Sequence, residues 1–246
     1  MKKRILLTAA VAVLSSALLA ACSSGGKNAN QPVTYTYVFS SDPATLDYTV
    51  SGNSSTKQVT GNVIDGLLEN DQYGNLVPSV AEDWSVSKDG LTYTYKIRKG
   101  IKWYTNEGEE YGEVKAQDFV TGLKHAVAKK SQALYLVQDS IKGLDDYING
   151  KTNDFSTVGI KATDDYTLVY TLNNPESFWN SKTTMGVLAP INEDFLASKG
   201  DDFGKPTDVT SILYNGPYLL KGLTSKSSIE MTKNQNYWDK GNVFID

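Results

Sequence analysis

The sequence has one cysteine and one histidine in 246 residues. A single cysteine excludes a disulfide within the chain. One histidine and one cysteine cannot supply the ordinary ligand set of a zinc site. The sequence also lacks a P-loop, a Gly-x-Gly-x-x-Gly fingerprint and a Gly-x-Ser-x-Gly elbow, so no motif predicts nucleotide binding or a serine hydrolase. These absences argue against an enzyme, and we expect neither a cofactor nor a metal.

Positive charge is also scarce. The chain has 24 basic and 28 acidic residues and a net charge of −4. The three basic residues closest to the N-terminus precede an uncharged run, and without them the net charge is −7. Nucleic-acid-binding proteins usually carry basic stripes. We therefore expect no nucleic-acid partner.

The N-terminus has the pattern of a bacterial export signal. Basic residues precede an uncharged run over 5–19, which is shorter than the roughly 20 residues of an ordinary membrane span. Leu-Ala-Ala then precedes Cys22, which resembles a lipobox. We predict that residues 1–21 are removed, that Cys22 carries a lipid anchor, and that the small polar residues 22–32 are a flexible tether. The alternative is an ordinary signal peptide with an incidental cysteine.

Periodicity divides the rest of the chain into short elements. A β-branched and aromatic stretch predicts a strand over 33–39, and an apolar stripe predicts a helix over about 56–68. An Asp-Gly turn predicts a hairpin whose second strand covers 91–98. Residues 107–113 are predicted to be a charged loop. The remaining patterns predict, in order, a helix over 116–130 with a partly exposed His125, a hairpin over 158–172 and a hairpin over 218–233.

Several short motifs follow one another in a specific order. They are Thr45-Leu46-Asp47, Asp65-Gly66-Leu67-Leu68, Pro78-Ser79-Val80-Ala81-Glu82-Asp83-Trp84, Asp89-Gly90-Leu91, Lys102-Trp103, Ala116-Gln117-Asp118-Phe119, Asn215-Gly216-Pro217-Tyr218 and Asn234-Gln235-Asn236-Tyr237-Trp238. Over 33–246 this order resembles the peptide/nickel/dipeptide class of ABC-transporter solute-binding proteins, and the oligopeptide-binding lipoproteins in particular. Tyr48 departs from the proline usual in the first motif, and the loop over 106–113 is longer than usual.

The resemblance implies an α/β protein with the two-lobed periplasmic-binding-protein fold of type II, in the large peptide-binding class. Residues 33–64 and 186–246 would belong to the first lobe, and 65–185 would form a small middle domain. The second lobe would be absent, so that the chain corresponds to about the N-terminal half of a family member.

The resemblance also implies a function. It is that of a monomeric, lipid-anchored receptor outside the cytoplasm, which delivers oligopeptides to an ABC permease and its ATPase subunits. The alternative is a truncated surface lipoprotein that serves adhesion or signalling, or a non-functional remnant.

A receptor for peptides of many sequences must bind the peptide backbone, which all peptides share. Small polar loop residues let a ligand backbone come close, and in the family the loop after the first motif lies at the cleft. We therefore predict peptide contacts at Val50, Ser51, Gly52, Asn53 and Ser54. Trp103 and Tyr135 are further candidates, because aromatic side chains suit a partly wet surface, although either could instead pack in the core. Asn215-Gly216 is predicted to be a structural turn.

Overall fold

The strands are short, and most of them pair with a neighbour in sequence. A computed structural model describes residues 32–246. Within that range the strands are β1 Leu68–Asn70, β2 Leu76–Pro78, β3 Ala81–Val86, β4 Thr92–Ile97, β5 Lys102–Tyr104, β6 Glu110–Glu113, β7 Ile160–Asp164, β8 Thr167–Thr171, β9 Tyr218–Thr224 and β10 Ser228–Lys233. All pairings are antiparallel: β1 with β2, β5 with β6, β9 with β10, and a four-stranded sheet in the order β3-β4-β8-β7.

Five α-helices lie in the described part of the chain: α1 Ser54–Thr60, α2 Ala116–Ala128, α3 Leu144–Ile148, α4 Trp179–Lys182 and α5 Glu193–Lys199. Only α2 exceeds two turns. It packs against β7 and against the 3-10 helix Gly186–Leu188. Gly122 lies at that second contact, where a Cβ atom would be 2.1 Å from the backbone oxygen of Ala189. A side chain at this position would therefore push the two elements apart.

The four-stranded sheet confirms the predicted hairpin. Gly90 has a φ of +72°, the left-handed backbone that its turn requires. Tyr93, Tyr95 and Ile97 of β4 are buried, and Lys96 is exposed, as a strand with one solvated face demands. β8 completes the core side of the sheet with Leu168 and Tyr170, both fully buried. The helix predicted over 116–130 and the two later hairpins are confirmed with slightly shorter bounds.

Three predictions of local structure are wrong. Residues 33–39 form no strand, because no strand among the described residues pairs with them and a β pattern becomes a strand only against a partner. The helix predicted over 56–68 ends at Thr60, with Gly61 as its C-cap. Further along, the chain passes close to the Thr183 backbone: a Cβ atom at Gly66 would lie 2.9 Å from the Thr183 backbone oxygen. The second half of the predicted loop 107–113 pairs with β5 as β6.

Residues 36–244 pack as one unit. Of the small remaining unit the structure describes few residues, and there Val33 and Asp246 exchange two hydrogen bonds of 2.9 Å each. The predicted signal peptide, the predicted lipidation site Cys22 and nearly all of the predicted tether lie outside the described residues. None of the helices described over 32–246 has the length and hydropathy needed to cross a membrane.

Candidate functional site

Asp47 organises the loop that leads into α1, here called the 47–53 loop. Its Oδ1 accepts hydrogen bonds from the backbone N–H of Thr49 at 3.1 Å and from the Thr49 hydroxyl at 2.7 Å. Its backbone oxygen accepts from the N–H groups of Val50 and Ser51, both at 3.3 Å. An aspartate that bonds to the backbone just after itself stabilises a tight turn. The loop therefore has one defined conformation set from its first residue.

The segment that follows α2 holds the same loop from the other side. Ser131 Oγ donates to the backbone oxygen of Thr49 at 2.6 Å, and Gln132 N–H donates to that of Val50 at 3.0 Å. Gly52 N–H donates to Gln132 Oε1 at 3.2 Å. These bonds tie residues 49–52 of the loop to the segment just after α2.

The predicted contact residues are exposed where the loop enters α1. Gly52, Asn53 and Ser54 are exposed, Val50 is half-buried and Ser51 is buried. Asn53 occupies the N-cap of α1, yet its side chain makes no capping hydrogen bond. The carbonyl groups of Ser51 and Gly52 accept no hydrogen bond from any residue over 32–246. The site can thus offer backbone acceptors and small polar side chains to an extended ligand.

The two aromatic candidates lie in different environments. Tyr135 is 70% exposed and belongs to the 3-10 helix Leu134–Leu136, three residues after the Gln132 that bonds to Gly52. Trp103 is fully buried, and its Nε1 donates to Asp118 Oδ2 at 2.7 Å. A side chain with no exposed surface is a core residue. Tyr135 is therefore exposed and close in sequence to the Gln132 that bonds to the loop, whereas the assignment of Trp103 to the ligand surface is corrected.

His125 is also placed differently from its prediction. Its side chain is 6% exposed, and Nε2 lies 2.8 Å from Asp47 Oδ2. The Phe203 ring packs edge-on against the imidazole, with the centroids 5.3 Å apart. The prediction that His125 is partly exposed is wrong, because the face of α2 that carries it is buried and also carries Thr121 and Gly122. These two residues, four and three positions earlier, share a helix face with His125, but a threonine and a glycine are not an apolar stripe, so the sequence carries no signal of this burial.

Asp118 connects the Lys102-Trp103 motif with the start of α2. It accepts from Trp103 Nε1 and from the backbone N–H of Lys115 at 3.2 Å, which caps the start of α2. Burial raises the pKa of Asp118 from 3.8 to about 6, against these two hydrogen bonds that lower it. The Lys-Trp and Ala-Gln-Asp-Phe motifs are thus held together by one buried carboxyl group.

A second buried joint connects the Asp-Gly-Leu-Leu motif with the C-terminal motifs. Asn215 Oδ1 accepts from the backbone N–H of Asp65 at 2.9 Å, and Asn215 Nδ2 donates to the Asp65 backbone oxygen at 3.2 Å. The Asp65 carboxyl accepts from the Tyr237 hydroxyl at 2.7 Å. Burial raises the pKa of Asp65 to about 7. Asn215, in the segment predicted to be a structural turn, therefore connects that segment to Asp65.

No metal site is present among residues 32–246, since no three His, Cys, Asp or Glu side chains lie close enough together to hold an ion. The motif residues described above make buried contacts that hold the fold together. The exposed small residues lie at the 47–53 loop and at the start of α1.

The family model of the bacterial extracellular solute-binding proteins, family 5 Middle, matches residues 75–246. The chain belongs to this family. The chain is 65% identical to a curated relative, oligopeptide-binding protein AliA of Streptococcus pneumoniae, over 97% of the chain and 36% of that protein. It is 62% identical to oligopeptide-binding protein AmiA of the same organism over the whole chain and 37% of that protein. The resemblance found in the motifs is confirmed.

Solved structures of the family confirm the α/β fold class. Listeria monocytogenes OppA bound to peptide is 31% identical, with a TM-score of 0.73 over 85% of this chain and 39% of that chain. The family 5 chain described here thus spans a little over a third of the length of the relatives it matches.

Proposed function

We propose that residues 50–54 of the full-length protein contact an extended oligopeptide, and that the protein is the extracytoplasmic substrate-binding component of an ABC importer. The observation that carries the proposal is the 47–53 loop, where small exposed residues and two carbonyl groups without a described partner sit on a rigid base. The names of the relatives, oligopeptide-binding proteins at 62–65% identity, support this ligand class.

The binding mode follows from the chemistry of the loop. Backbone acceptors pair with the N–H groups of a ligand strand, whatever its side chains are. Gly52 has no side chain to obstruct a ligand backbone, and Tyr135, three residues after Gln132, offers an exposed ring. Such a site binds without bond-breaking chemistry, so we propose a receptor that is not an enzyme and needs no cofactor. Transport energy then comes from the permease and its ATPase subunits.

We also propose the domain organisation and the anchor. Residues 65–185 form the small middle domain between the first-lobe segments 33–64 and 186–246, and the second lobe is not part of residues 1–246. Closure of the two lobes around the peptide completes the site. Lipid on Cys22 holds the monomeric receptor at the outer face of the cell membrane. The adhesion or remnant alternative gains no support from relatives this similar that are named for oligopeptide binding.

Titration calorimetry of the full-length protein with a mixture of short peptides tests the ligand. Asn53→Trp adds bulk at an exposed position whose side chain makes no capping bond, so we expect peptide affinity to fall by about tenfold or more, a loss of ~1.4 kcal/mol, at an unchanged melting temperature. The matched control is Asn153→Trp, the same change at another exposed loop residue. Equal affinity for both variants would remove the 47–53 loop from the site.

The anchor has its own test. Cys22→Ser in cells labelled with palmitate should abolish incorporation of the label and release the receptor into the medium or the soluble fraction. Label retained by the variant would contradict lipidation at Cys22 and leave the ligand proposal untouched.

A further inference from the structure

Asp47, the first residue of the 47–53 loop, forms a buried pair with His125 of α2. Both side chains are more than nine-tenths buried, and no motif predicts the pair. The two oxygens of the Asp47 carboxylate have different partners. Oδ2 lies 2.8 Å from His125 Nε2, and Oδ1 accepts hydrogen bonds from the N–H and hydroxyl of Thr49. A carboxylate only accepts hydrogen bonds, so the imidazole Nε2 carries the hydrogen in this contact.

Among the described residues of α2, His125 is the only one whose side chain bonds to the Asp47 carboxylate. Lys129, one turn further on, pairs instead with exposed Asp201 at 2.8 Å, and that bond is the main cause of its raised pKa, with the Asp47 charge a smaller one. The Phe203 ring covers the imidazole on another side and provides no polar partner. The rotation of the Asp47 carboxylate about its side-chain bonds is thus fixed at one oxygen by His125 and at the other by Thr49.

The orientation of Asp47 decides the shape of the loop. Its Oδ1 holds Thr49, and its backbone oxygen holds Val50 and Ser51. If Oδ2 loses its partner, the carboxylate remains buried with an unmet charge and turns to find another donor, because an uncompensated buried charge is strongly unfavourable. Turning moves Oδ1 away from Thr49, and the loop loses its first fixed point.

We propose that His125 is a positioning residue for the peptide site, acting through Asp47 on the backbone of residues 49–53. The proposal rests on the proposed function of the loop. The helix α2 supports the loop twice, through this buried pair near its C-terminal end and through Ser131 and Gln132 just after it. Peptide affinity then depends on a side chain that never touches the peptide.

The test compares two substitutions of His125 in the full-length protein. His125→Gln keeps a donor at the position of Nε2, and His125→Leu removes the donor at similar volume. We expect His125→Leu to weaken binding of a peptide mixture by about tenfold or more, and His125→Gln to recover affinity to within about threefold of the wild type. Hydrogen exchange of the amides of residues 49–53, measured without peptide, should rise in His125→Leu and return in His125→Gln.

A second pair provides the matched control. Lys182 and Glu176 form a 2.8 Å ion pair of low exposure, and Lys182 also bonds to Ser140, all outside the loop and its supports. Lys182→Met should lower the melting temperature and leave both peptide affinity and loop exchange unchanged. If His125→Leu fails to fold, His125→Leu combined with Asp47→Asn removes the unpaired charge and is measured in its place.

The outcomes separate this inference from the function on which it rests. If the wild type binds no peptide, the proposed function is wrong, and loop exchange alone decides the role of His125. Faster exchange of residues 49–53 in His125→Leu, reversed by His125→Gln, supports the positioning role. Unchanged exchange and affinity in His125→Leu, or the same loss in Lys182→Met, overturns it.

Discussion

Two regions of the molecule use polar side chains in different ways. In the motif region, buried Asp65 bonds to Tyr237, which is 172 residues away, and buried Asp118 bonds to Trp103, which is 15 residues away, so each joins separate segments of the chain. In the 47–53 loop, Gly52 and Asn53 are exposed, and polar side chains from Asp47, Ser131 and Gln132 bond to the loop main chain and not to one another. Residues that build joints are restricted in size and chemistry, which produces a recognisable motif. Residues that offer backbone to a ligand need only be small.

The two aromatic candidates provide the strongest contrast. Trp103→Ala removes a fully buried indole and leaves Asp118 without its donor, so we expect the free energy of unfolding to fall by about 3–5 kcal/mol. Tyr135→Ala, at a 70% exposed ring, should change it by less than about 0.5 kcal/mol and should weaken peptide binding. Urea unfolding and calorimetry of both variants measure the difference. A Trp103→Ala protein that unfolds like the wild type would contradict the core assignment.

The buried carboxyls make stability depend on pH with a defined sign. In the unfolded chain Asp65 ionises near pH 3.8, whereas in the folded protein its pKa is raised to about 7. Between these values folding takes up a proton, so this contribution to stability is complete below about pH 4 and is lost as the pH rises to about 7. The expected slope is about −1.4 kcal/mol per pH unit.

Two variants resolve this pH dependence. In Asp65→Asn, the slope of unfolding free energy against pH should be less negative by about 1.4 kcal/mol per unit from about pH 4 to 7. In Asp118→Asn the same change should extend only from about pH 4 to 6, because the pKa of Asp118 is raised to about 6. Urea midpoints measured at half-unit pH intervals give both slopes. A wild-type stability that rises steadily across this range, with no change in slope in Asp65→Asn, would contradict the raised pKa of Asp65.

A smaller effect is expected where two backbones meet. A Cβ at Gly216 would lie 2.7 Å from the carbonyl carbon of Val63 and 2.9 Å from the nitrogen of Ile64. Gly216→Ala should therefore cost about 1–3 kcal/mol of unfolding free energy. Gly241→Ala is the control, since nothing lies within 4 Å of a Cβ there, and it should have almost no effect. Equal stability of the two variants would mean that the joint is looser than its distances indicate.

The sequence predicts the motifs and the hairpin of the sheet because their determinants are local or have strong patterns. Alternation in β4 and the Asp-Gly turn produce the hairpin without reference to distant residues. The strand predicted over 33–39 and the long helix over 56–68 fail for the opposite reason. Whether residues 33–39 pair as a strand, or the helix continues past residue 60, depends on distant partners that no local pattern encodes. One such partner is the Thr183 backbone beside Gly66.

The support of the candidate site is the least predictable part. His125 and Asp47 are 78 residues apart, and Gln132 is 80 residues from Gly52. A lone histidine on a helix resembles many exposed ones, so single-residue identity carries no information about burial. The exposed loop residues could be proposed because small polar residues before a helix form a local pattern. Their supports could not, since long-range packing alone selects them.

Two asparagines at helix N-caps give the finest comparison. Asn192 Oδ1 accepts from the N–H of Phe195 at 2.9 Å at the start of α5, whereas Asn53 at the start of α1 makes no such bond. Asn192→Ala should cost about 1 kcal/mol of stability with unchanged peptide affinity. Asn53→Ala should cost less than about 0.5 kcal/mol and weaken peptide binding by about two- to tenfold, the value of one hydrogen bond. If Asn53→Ala instead lost stability and kept its affinity, Asn53 would be a residue of the helix and not of the ligand site.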